Sequence, residues 1–256
     1  MNNKFTILTS GYNKAKYLID WSNSILAQRY RPLEVVFADD YSTDNTKHIL
    51  VEIAKKFKNE EIEFLPIFNK KRLYCGSSYN NLVNYATGSF FGVLDGDDML
   101  VHDAVEYIMQ LYKERFDITW IYTQFMVCDV KMIKRRKGFC RCPGKKESLL
   151  SLGDRGIHGY GHWRTFNYKI EKKDKLFGKE MKCAVDKYMG YRLEEFGKGM
   201  FVDRICYKYR QYPVNSKEGV STTKYAMDMW KEVIKKVHTR RKKYNYQPYS
   251  IIKYGK

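Results

Sequence analysis

Three carboxylates lie together at the end of an apolar run. Asp95, Asp97 and Asp98 follow residues 90–94, and no basic residue stands beside them in the sequence. Such a cluster is unfavourable unless a cation neutralises it, and a hard divalent metal is the natural candidate. Mg²⁺ or Mn²⁺ held by one or two carboxylates keeps open positions, which suit the phosphates of a nucleotide. The alternative is an acidic turn before a helix that starts near Asp103.

A second acidic pair ends another apolar run. Asp39 and Asp40 follow residues 33–38, much as Asp95 follows residues 90–94. Both runs are typical of buried strands, and in open α/β sheets ligands bind beyond the carboxyl ends of parallel strands. The pattern therefore places both acidic groups at the expected ligand crevice.

Short apolar runs alternate with segments of helical periodicity through the first half of the chain. This alternation predicts an α/β fold with a largely parallel sheet. The predicted strands are residues 5–9, 33–38, 62–68 and 90–94, and the predicted helices are residues 17–26, 49–57, 77–86 and 104–112.

The second half is less regular. The basic stretch that runs to about Asp154 is interpreted as a loop or as a pair of antiparallel strands. Residues 158–164, rich in glycine and aromatic side chains, are predicted to form a flexible binding loop. The remaining predicted elements are one or two strands in 118–127, a helix over 182–196, a strand over 200–207 and an amphipathic helix over 225–237.

Composition indicates one catalytic domain with a substantial core. The 256 residues are 44% apolar and 16% aromatic. No apolar stretch reaches the roughly 18 residues of a membrane-spanning helix, and the N-terminus lacks a signal-peptide pattern. Six cysteines show no disulfide or zinc-site spacing, so they are expected to be reduced thiols. We expect a cytoplasmic protein that could lie peripherally at the inner membrane face.

The chain is strongly basic. It carries 47 Lys and Arg against 29 Asp and Glu, a formal net charge of +18. Two segments, 131–146 and 231–243, concentrate this charge. A field of this sign attracts polyanions: nucleic acid, anionic lipid or a phosphorylated substrate. For a single lysine, a solvated surface is the simpler interpretation.

Ordered motifs along residues 4–215 resemble family 2 glycosyltransferases with the GT-A fold. The matching pieces are Thr6-Ile-Leu-Thr-Ser-Gly-Tyr-Asn13, Ser24-Ile-Leu-Ala-Gln28, residues 33–44 ending Asp39-Asp-Tyr-Ser-Thr-Asp44, Asn80, Ala86-Thr-Gly88, Leu94-Asp-Gly-Asp-Asp98, Ala184-Val-Asp186, residues 191–197 and Tyr209-Arg210. The resemblance implies an α/β/α sandwich with a mostly parallel central sheet, and a nucleotide-sugar donor.

For the donor site, the resemblance implies that Asp39 accepts a hydrogen bond from the nucleotide base. A carboxylate only accepts hydrogen bonds, and uracil, the usual base, presents an N–H group. Thr9 and the turn Ser10 to Tyr12 would line the base and ribose. Arg72 would contact the diphosphate.

The resemblance also assigns roles to the acidic tetrad Asp95-Gly96-Asp97-Asp98. Asp95 would lie near the ribose or a metal-bound water, Asp97 would be the principal ligand of Mn²⁺ or Mg²⁺, and Asp98 would lie beside it. The metal would bridge the diphosphate.

Asp186 falls at the position of the family's catalytic base, which takes the proton of the acceptor hydroxyl in an inverting transfer. Val185 replaces the usual preceding Glu. A downstream His that many members carry is missing, so either water and phosphate complete the metal site or His158 or His162 does. Trp163 is a candidate sugar platform or a core aromatic, and Arg192 is expected to brace the site or a helix end.

These inferences predict an inverting, metal-dependent glycosyltransferase that moves a sugar from a UDP-sugar to a hydroxyl acceptor in glycan or glycoconjugate synthesis. Residues 1–215 would form the GT-A domain, with a nucleotide-binding half (1–100) and an acceptor half (101–215), and residues 216–256 a basic helical extension. The alternatives are transfer to a modified base of DNA, motivated by the charge, and a non-catalytic basic binding module. The sequence names neither sugar nor acceptor.

Overall fold

Strands and helices alternate from the N-terminus, as predicted. A computed structural model describes residues 3–167, 176–213, 216 and 224–255. The strands are β1 (Phe5–Gly11), β2 (Leu33–Asp39), β3 (Ile62–Phe68), β4 (Phe90–Val93), β5 (Met99–Leu100), β6 (Trp120–Cys128), β7 (Lys134–Lys137), β8 (Arg164–Asn167), β9 (Gly199–Arg210) and β10 (Ile251–Lys253). The helices are α1 (Leu18–Leu26), α2 (Thr46–Asn59), α3 (Tyr74–Tyr85), α4 (Ala104–Glu114), α5 (Leu149–Asp154), α6 (Val185–Leu193) and α7 (Lys224–Tyr244).

One central sheet connects the two halves of the chain. Its strand order is β10-β9-β6-β8-β4-β1-β2-β3, with β5 paired to β9 and β7 paired to β6. The pairs β1–β2, β1–β4, β2–β3, β6–β9 and β9–β10 are parallel. Strand β8 runs antiparallel to both neighbours, β4 and β6. The expected α/β fold with a mostly parallel sheet is confirmed.

Helices cover both faces of the central strands. Every residue of β2 is buried, which requires a layer on each side. Trp21 of α1 packs edge-on against Phe37 of β2, with ring centroids 5.1 Å apart, and also lies against Phe57 of α2. These aromatic contacts fix α1 and α2 on the sheet and leave the strand ends open.

The strand register brings the predicted site residues to one edge. Gly11 at the end of β1 pairs with Asp39 at the end of β2, and Leu8 pairs with Val93 of β4. Because β1, β2 and β4 are parallel, Asp39 and the tetrad that follows β4 leave the sheet on the same side. Residues 96–97 form a turn, and the two-residue strand β5 separates this turn from α4, whose N-cap is Asp103. The metal-binding role of these carboxylates stays a prediction.

Helix α7 shares the core of the domain. Trp230, Val233 and Val237 belong to the same buried cluster as the strands, and β10 extends the sheet beside β9. The predicted C-terminal helix is therefore present, and it packs as part of the fold. Within the described ranges, no helix has the length and apolarity needed to cross a bilayer.

Residues 158–163 form no helix or strand, as predicted, but this loop is packed into the domain. Tyr160 and Trp163 are buried, and Arg164 begins β8. The basic stretch contains β7, which pairs antiparallel with β6. Of the two interpretations offered for that stretch, the strand pair is therefore correct for residues 134–137.

Candidate active site

Two buried polar atoms lie where the resemblance places the nucleotide base. Asp39 and Thr9 are 4% and 0% exposed. Oδ1 of Asp39 and Oγ1 of Thr9 have no hydrogen-bond partner among the residues that the structure describes. Burial raises the pKa of Asp39, and hydrogen bonds from Ser42 partly offset this effect. An acceptor left unpaired in this way suits an N–H donor from a ligand, because a buried unsatisfied group is costly.

Asp40 organises the turn after β3. Its carboxylate accepts hydrogen bonds from the backbone N–H groups of Leu73 and Tyr74 at 2.7 and 2.9 Å, and from Nε of Arg72 at 3.1 Å. The Arg72 guanidinium stacks over the Tyr12 ring at 3.4 Å. Asp40 therefore holds Arg72 against Tyr12, and the predicted contact of Arg72 with a diphosphate stays a prediction.

Residues of β9 hold the acidic tetrad in place through hydrogen bonds. Asp98 is buried and accepts hydrogen bonds from the Tyr207 hydroxyl at 2.7 Å and from the Arg210 backbone at 2.6 Å. Nε of Arg210 donates to the Asp97 carbonyl at 2.6 Å. Burial, followed by the charges of Asp97 and Asp95, raises the pKa of Asp98 well above its ordinary value. Three carboxylates this close repel one another, and a bound cation would relieve that repulsion.

Asp95, Asp98 and His162 could hold a metal ion. One ligand atom of each lies within 4.8 Å of the others. Burial, followed by the charge of Arg164, lowers the pKa of His162 well below its ordinary value, so the imidazole is neutral. Carboxylate oxygens with an imidazole nitrogen suit Mn²⁺. The donor set therefore fits the expected ion.

Asp97, the predicted principal ligand, points elsewhere. Its Oδ2 lies 2.5 Å from Nζ of Lys14 and accepts a 2.7 Å hydrogen bond from the Tyr212 hydroxyl. The geometry groups Asp98 with Asp95 and His162, whereas sequence reasoning paired it with Asp97. The role of Asp97 as a ligand stays a prediction.

Arg164 is a buried cation at the centre of the site that sequence reasoning missed. Its Nη2 lies 3.2 Å from Oδ2 of Asp95 and 3.0 Å from Nδ1 of His162. Because a guanidinium only donates, Nδ1 of His162 must be the acceptor, and the neutral ring then carries its proton on Nε2. A metal ion held by Asp95, Asp98 and His162 would have to replace Arg164 as the partner of the His162 lone pair.

Asp186 lies in the first turn of α6, facing the same cleft. Ala184, in the left-handed conformation (φ 56°), precedes the helix and sets its direction. Burial alone would raise the pKa of Asp186, but the charges of Lys187 and Arg164 bring it below the ordinary value. The Asp186 side chain is 31% exposed. It is therefore an ionised and accessible carboxylate, as a general base must be.

A cleft of about 510 Å³ joins Asp186 to Asp95, Asp97 and Asp98, whereas Thr9, Asp39 and Arg72 are not among its lining residues. Asp186 and the tetrad line it together with Ser10, His158 and His162. The structure thus unites acidic groups that are far apart in sequence.

Two predicted site residues are structural. Trp163 is fully buried against Phe5, with ring centroids 5.5 Å apart. Of the two alternatives offered for Trp163, its burial favours the core aromatic over the sugar platform. Arg192 is fully buried and pairs with Glu195, which fits the expected brace at the end of α6.

Comparison with known proteins gives a family match and several relatives. The model for "Glycosyl transferase family 2" matches residues 6–194. Chondroitin synthase of Escherichia coli is 29% identical over 249 residues, which are 95% of this chain and 34% of that protein. Hyaluronan synthase of Pasteurella multocida is 28% identical over 204 residues, 79% of this chain and 20% of that protein. The chain thus spans about a third or less of these relatives.

Solved structures share the fold at low identity. S. aureus TarS 1-349 in complex with UDP-GlcNAc superposes with a TM-score of 0.71 at 19% identity, covering 92% of this chain and 66% of that one. The mannosyltransferase PcManGT of Pyrobaculum calidifontis, in complex with GDP-Man and Mn²⁺, gives a TM-score of 0.59 at 15% identity and covers 95% of this chain and 65% of that one.

Proposed function

The chain belongs to glycosyl transferase family 2, and from this premise we propose that it transfers a sugar from a UDP-sugar to a hydroxyl acceptor with inversion. The observation that carries the proposal is the shared cleft of Asp186 and the tetrad. The tetrad would serve the sugar donor, and Asp186 would serve the acceptor. An inverting transfer needs both.

Asp39 and Thr9 support uracil as the base. The unpaired Asp39 oxygen is an acceptor suited to the uracil N3–H, and the unpaired Thr9 hydroxyl can donate or accept. TarS, which shares the fold, binds UDP-GlcNAc. The identity of the sugar stays open.

Asp95, Asp98 and His162 are proposed to hold Mn²⁺ or Mg²⁺, with Asp97 as a further candidate. When bound, the ion supplies charge neutralisation for the departing diphosphate. PcManGT, a fold relative, was solved with Mn²⁺.

Asp186 is proposed to take the proton of the acceptor hydroxyl. The acceptor oxygen forms its bond to the anomeric carbon while the bond from that carbon to the diphosphate oxygen breaks. The proton goes to the Asp186 carboxylate and UDP departs. Lys187 and Arg164 favour the ionised form of Asp186 before the reaction.

The experiment that tests this function is a screen of nucleotide sugars for nucleoside diphosphate release, with Mn²⁺ and with chelator. UDP release from a UDP-sugar in Mn²⁺, abolished by Asp186→Asn, supports the proposal. Release from a sugar of another nucleotide, with UDP-sugars untouched, would refute the assignment of the donor.

A further inference from the structure

An aromatic wall faces the cleft from the C-terminal half of the chain. The His158 ring stacks on Trp230 with centroids 4.3 Å apart, and Phe139 lies against His158 at 5.2 Å. All three side chains line the cleft. Phe139 is 40% exposed, whereas Trp230 is 6% exposed and closes the back of the wall. Exposed aromatic surface inside a cleft is a binding feature, because a core aromatic would be covered.

Lys187 connects this wall to the proposed base. Its Nζ lies 5.3 Å from the centre of the Phe139 ring and 5.7 Å from that of Trp230. The same atom lies 3.8 Å from Oδ2 of Asp186. A molecule resting on Phe139 is therefore next to the carboxylate that would receive its proton. The wall belongs to the acceptor side of the cleft.

Strand β7 adds positive charge beside the cleft. Arg135 pairs with Asp129 at 2.5 Å and Lys137 pairs with Asp203 at 2.7 Å. A register shift lies between the pairs Cys128–Lys134 and Val127–Arg136, and Arg136 lines the cleft, whereas Arg135 and Lys137 are not among its lining residues. Arg136 has no ion pair with any residue in the described ranges. Lys182, also exposed on the cleft lining, is likewise without such a pair in the part of the chain described.

Three carboxylates that line the cleft already lie beside basic side chains of the protein. Asp95 and Asp97 contact Arg164 and Lys14 respectively, and Asp186 lies beside Lys187. The acceptor side thus combines an apolar ring surface with a cation that protein acids leave uncompensated. An acidic ligand would supply the missing charge.

We propose that Phe139, His158 and Arg136 form an acceptor subsite for a carboxylate-bearing glycan. The inference rests on the proposed function and names its acceptor class. The apolar face of a sugar ring packs on Phe139, while the planar guanidinium of Arg136 binds the carboxylate through two parallel hydrogen bonds. His158 offers a ring nitrogen to a sugar hydroxyl, since its Nδ1 is without a partner among the described residues.

A matched pair of ligands tests the subsite. One is a tetrasaccharide with two uronate residues, and the other is the same tetrasaccharide with its carboxyl groups reduced to alcohols. Calorimetric titration of the full chain, without a donor, should give affinity for the acidic form about tenfold or more above that for the reduced form, the typical effect of one charge-assisted hydrogen bond. Equal affinities would overturn the proposal.

Two neighbouring arginines provide the control. Arg136→Gln should reduce the ratio of acidic to reduced affinity about tenfold or more, towards unity. Arg135→Gln, one residue away and outside the lining of the cleft, should keep the wild-type ratio. Phe139→Ala should weaken both ligands together, because the ring contact does not depend on charge. A ratio that falls equally in both arginine variants would mean a diffuse field and would overturn the assignment to Arg136.

The titration also separates this inference from the proposed function. Binding with the expected ratio in a protein that releases UDP from no UDP-sugar would support the subsite and refute the transferase activity. UDP-sugar turnover with no preference for the acidic ligand would support the transferase activity and refute the subsite. A DNA oligonucleotide of equal charge that binds more tightly than the acidic tetrasaccharide would favour a nucleic acid acceptor and overturn the glycan assignment.

Discussion

Arg164 donates a hydrogen bond to Asp95 from a position that is almost fully buried. The charges of Asp95 and Asp186 both favour the ionised guanidinium. A single cation therefore couples the donor-side carboxylate to the proposed base. Its removal should affect stability as well as catalysis.

Arg164→Met should lower the free energy of unfolding by about 2–3 kcal/mol. Breaking a fully buried ion pair costs about 3–5 kcal/mol, and the figure here is smaller because the Asp95 side chain is 34% exposed. Urea denaturation followed by circular dichroism measures the change. Arg155→Met, at an exposed pair with Glu147, is the control and should cost about 1 kcal/mol or less. Similar losses in both variants would contradict a central role for Arg164.

Asp186→Asn should preserve UDP binding and lower the transfer rate by about 10²–10⁴-fold, the usual contribution of a general base. The amide keeps the shape of the side chain and cannot take the proton. Single-turnover kinetics with saturating donor provides the measurement. Asp228→Asn, on the exposed side of α7, serves as the control. Near-normal turnover of Asp186→Asn would move the base to another residue.

Asp39→Asn should weaken UDP binding about tenfold or more, because a charge-assisted hydrogen bond is lost. The variant should also change base preference. An amide N–H can donate to the N3 acceptor of cytosine, so the affinity for CDP relative to UDP should rise. Titration of both nucleotides at fixed Mn²⁺ gives the ratio. An unchanged ratio would show that Asp39 does not contact the base.

Mn²⁺ binding should depend on Asp98 above all, because the resemblance and the geometry both include it. The two accounts differ over Asp97 and His162. From the geometry, we expect His162→Ala to weaken Mn²⁺ binding by about 10–100-fold. Asp97→Asn should weaken it less. Electron paramagnetic resonance of free Mn²⁺ measures binding without any turnover. The opposite ranking would make Asp97 the principal ligand.

Lys187→Met should move the acidic limb of the pH–rate profile upward. The charge of Lys187 contributes to the lowered pKa of Asp186, and removing it raises that pKa. The base must be ionised to act, so activity should begin to fall at a higher pH than in the wild type as the solution is acidified. Profiles of kcat/KM between pH 4 and 8 test this shift. A limb that stays in place would mean that another group controls it.

Continuous apolar runs made the donor side predictable. Strands β1, β2 and β4 are largely buried, and apolar residues predominate in them, with Thr6, Thr9, Ser10 and Glu34 as polar exceptions. Asp39 and Asp95 therefore marked the strand ends directly. Helices α1, α2 and α4 had clear apolar stripes, which are local signals.

The central cation and the aromatic wall were beyond sequence reasoning. Strand β8 has only four residues and follows a glycine-rich stretch, so its pairing with β4 and β6 is set by contacts distant in sequence. That pairing is what buries Trp163 and brings Arg164 to Asp95. The position of Trp230 beside His158 likewise depends on helix packing, which periodicity does not specify.

Helix α7 supplies Trp230 to the cleft, and it is the last helix of the described chain to be synthesised. Domains generally gain structure from the N-terminus during translation. The strands that carry Asp39 and the tetrad thus leave the ribosome well before the aromatic wall can close over Asp186. During translation, the residues of the donor side of the cleft are therefore synthesised before Trp230, which completes the acceptor side.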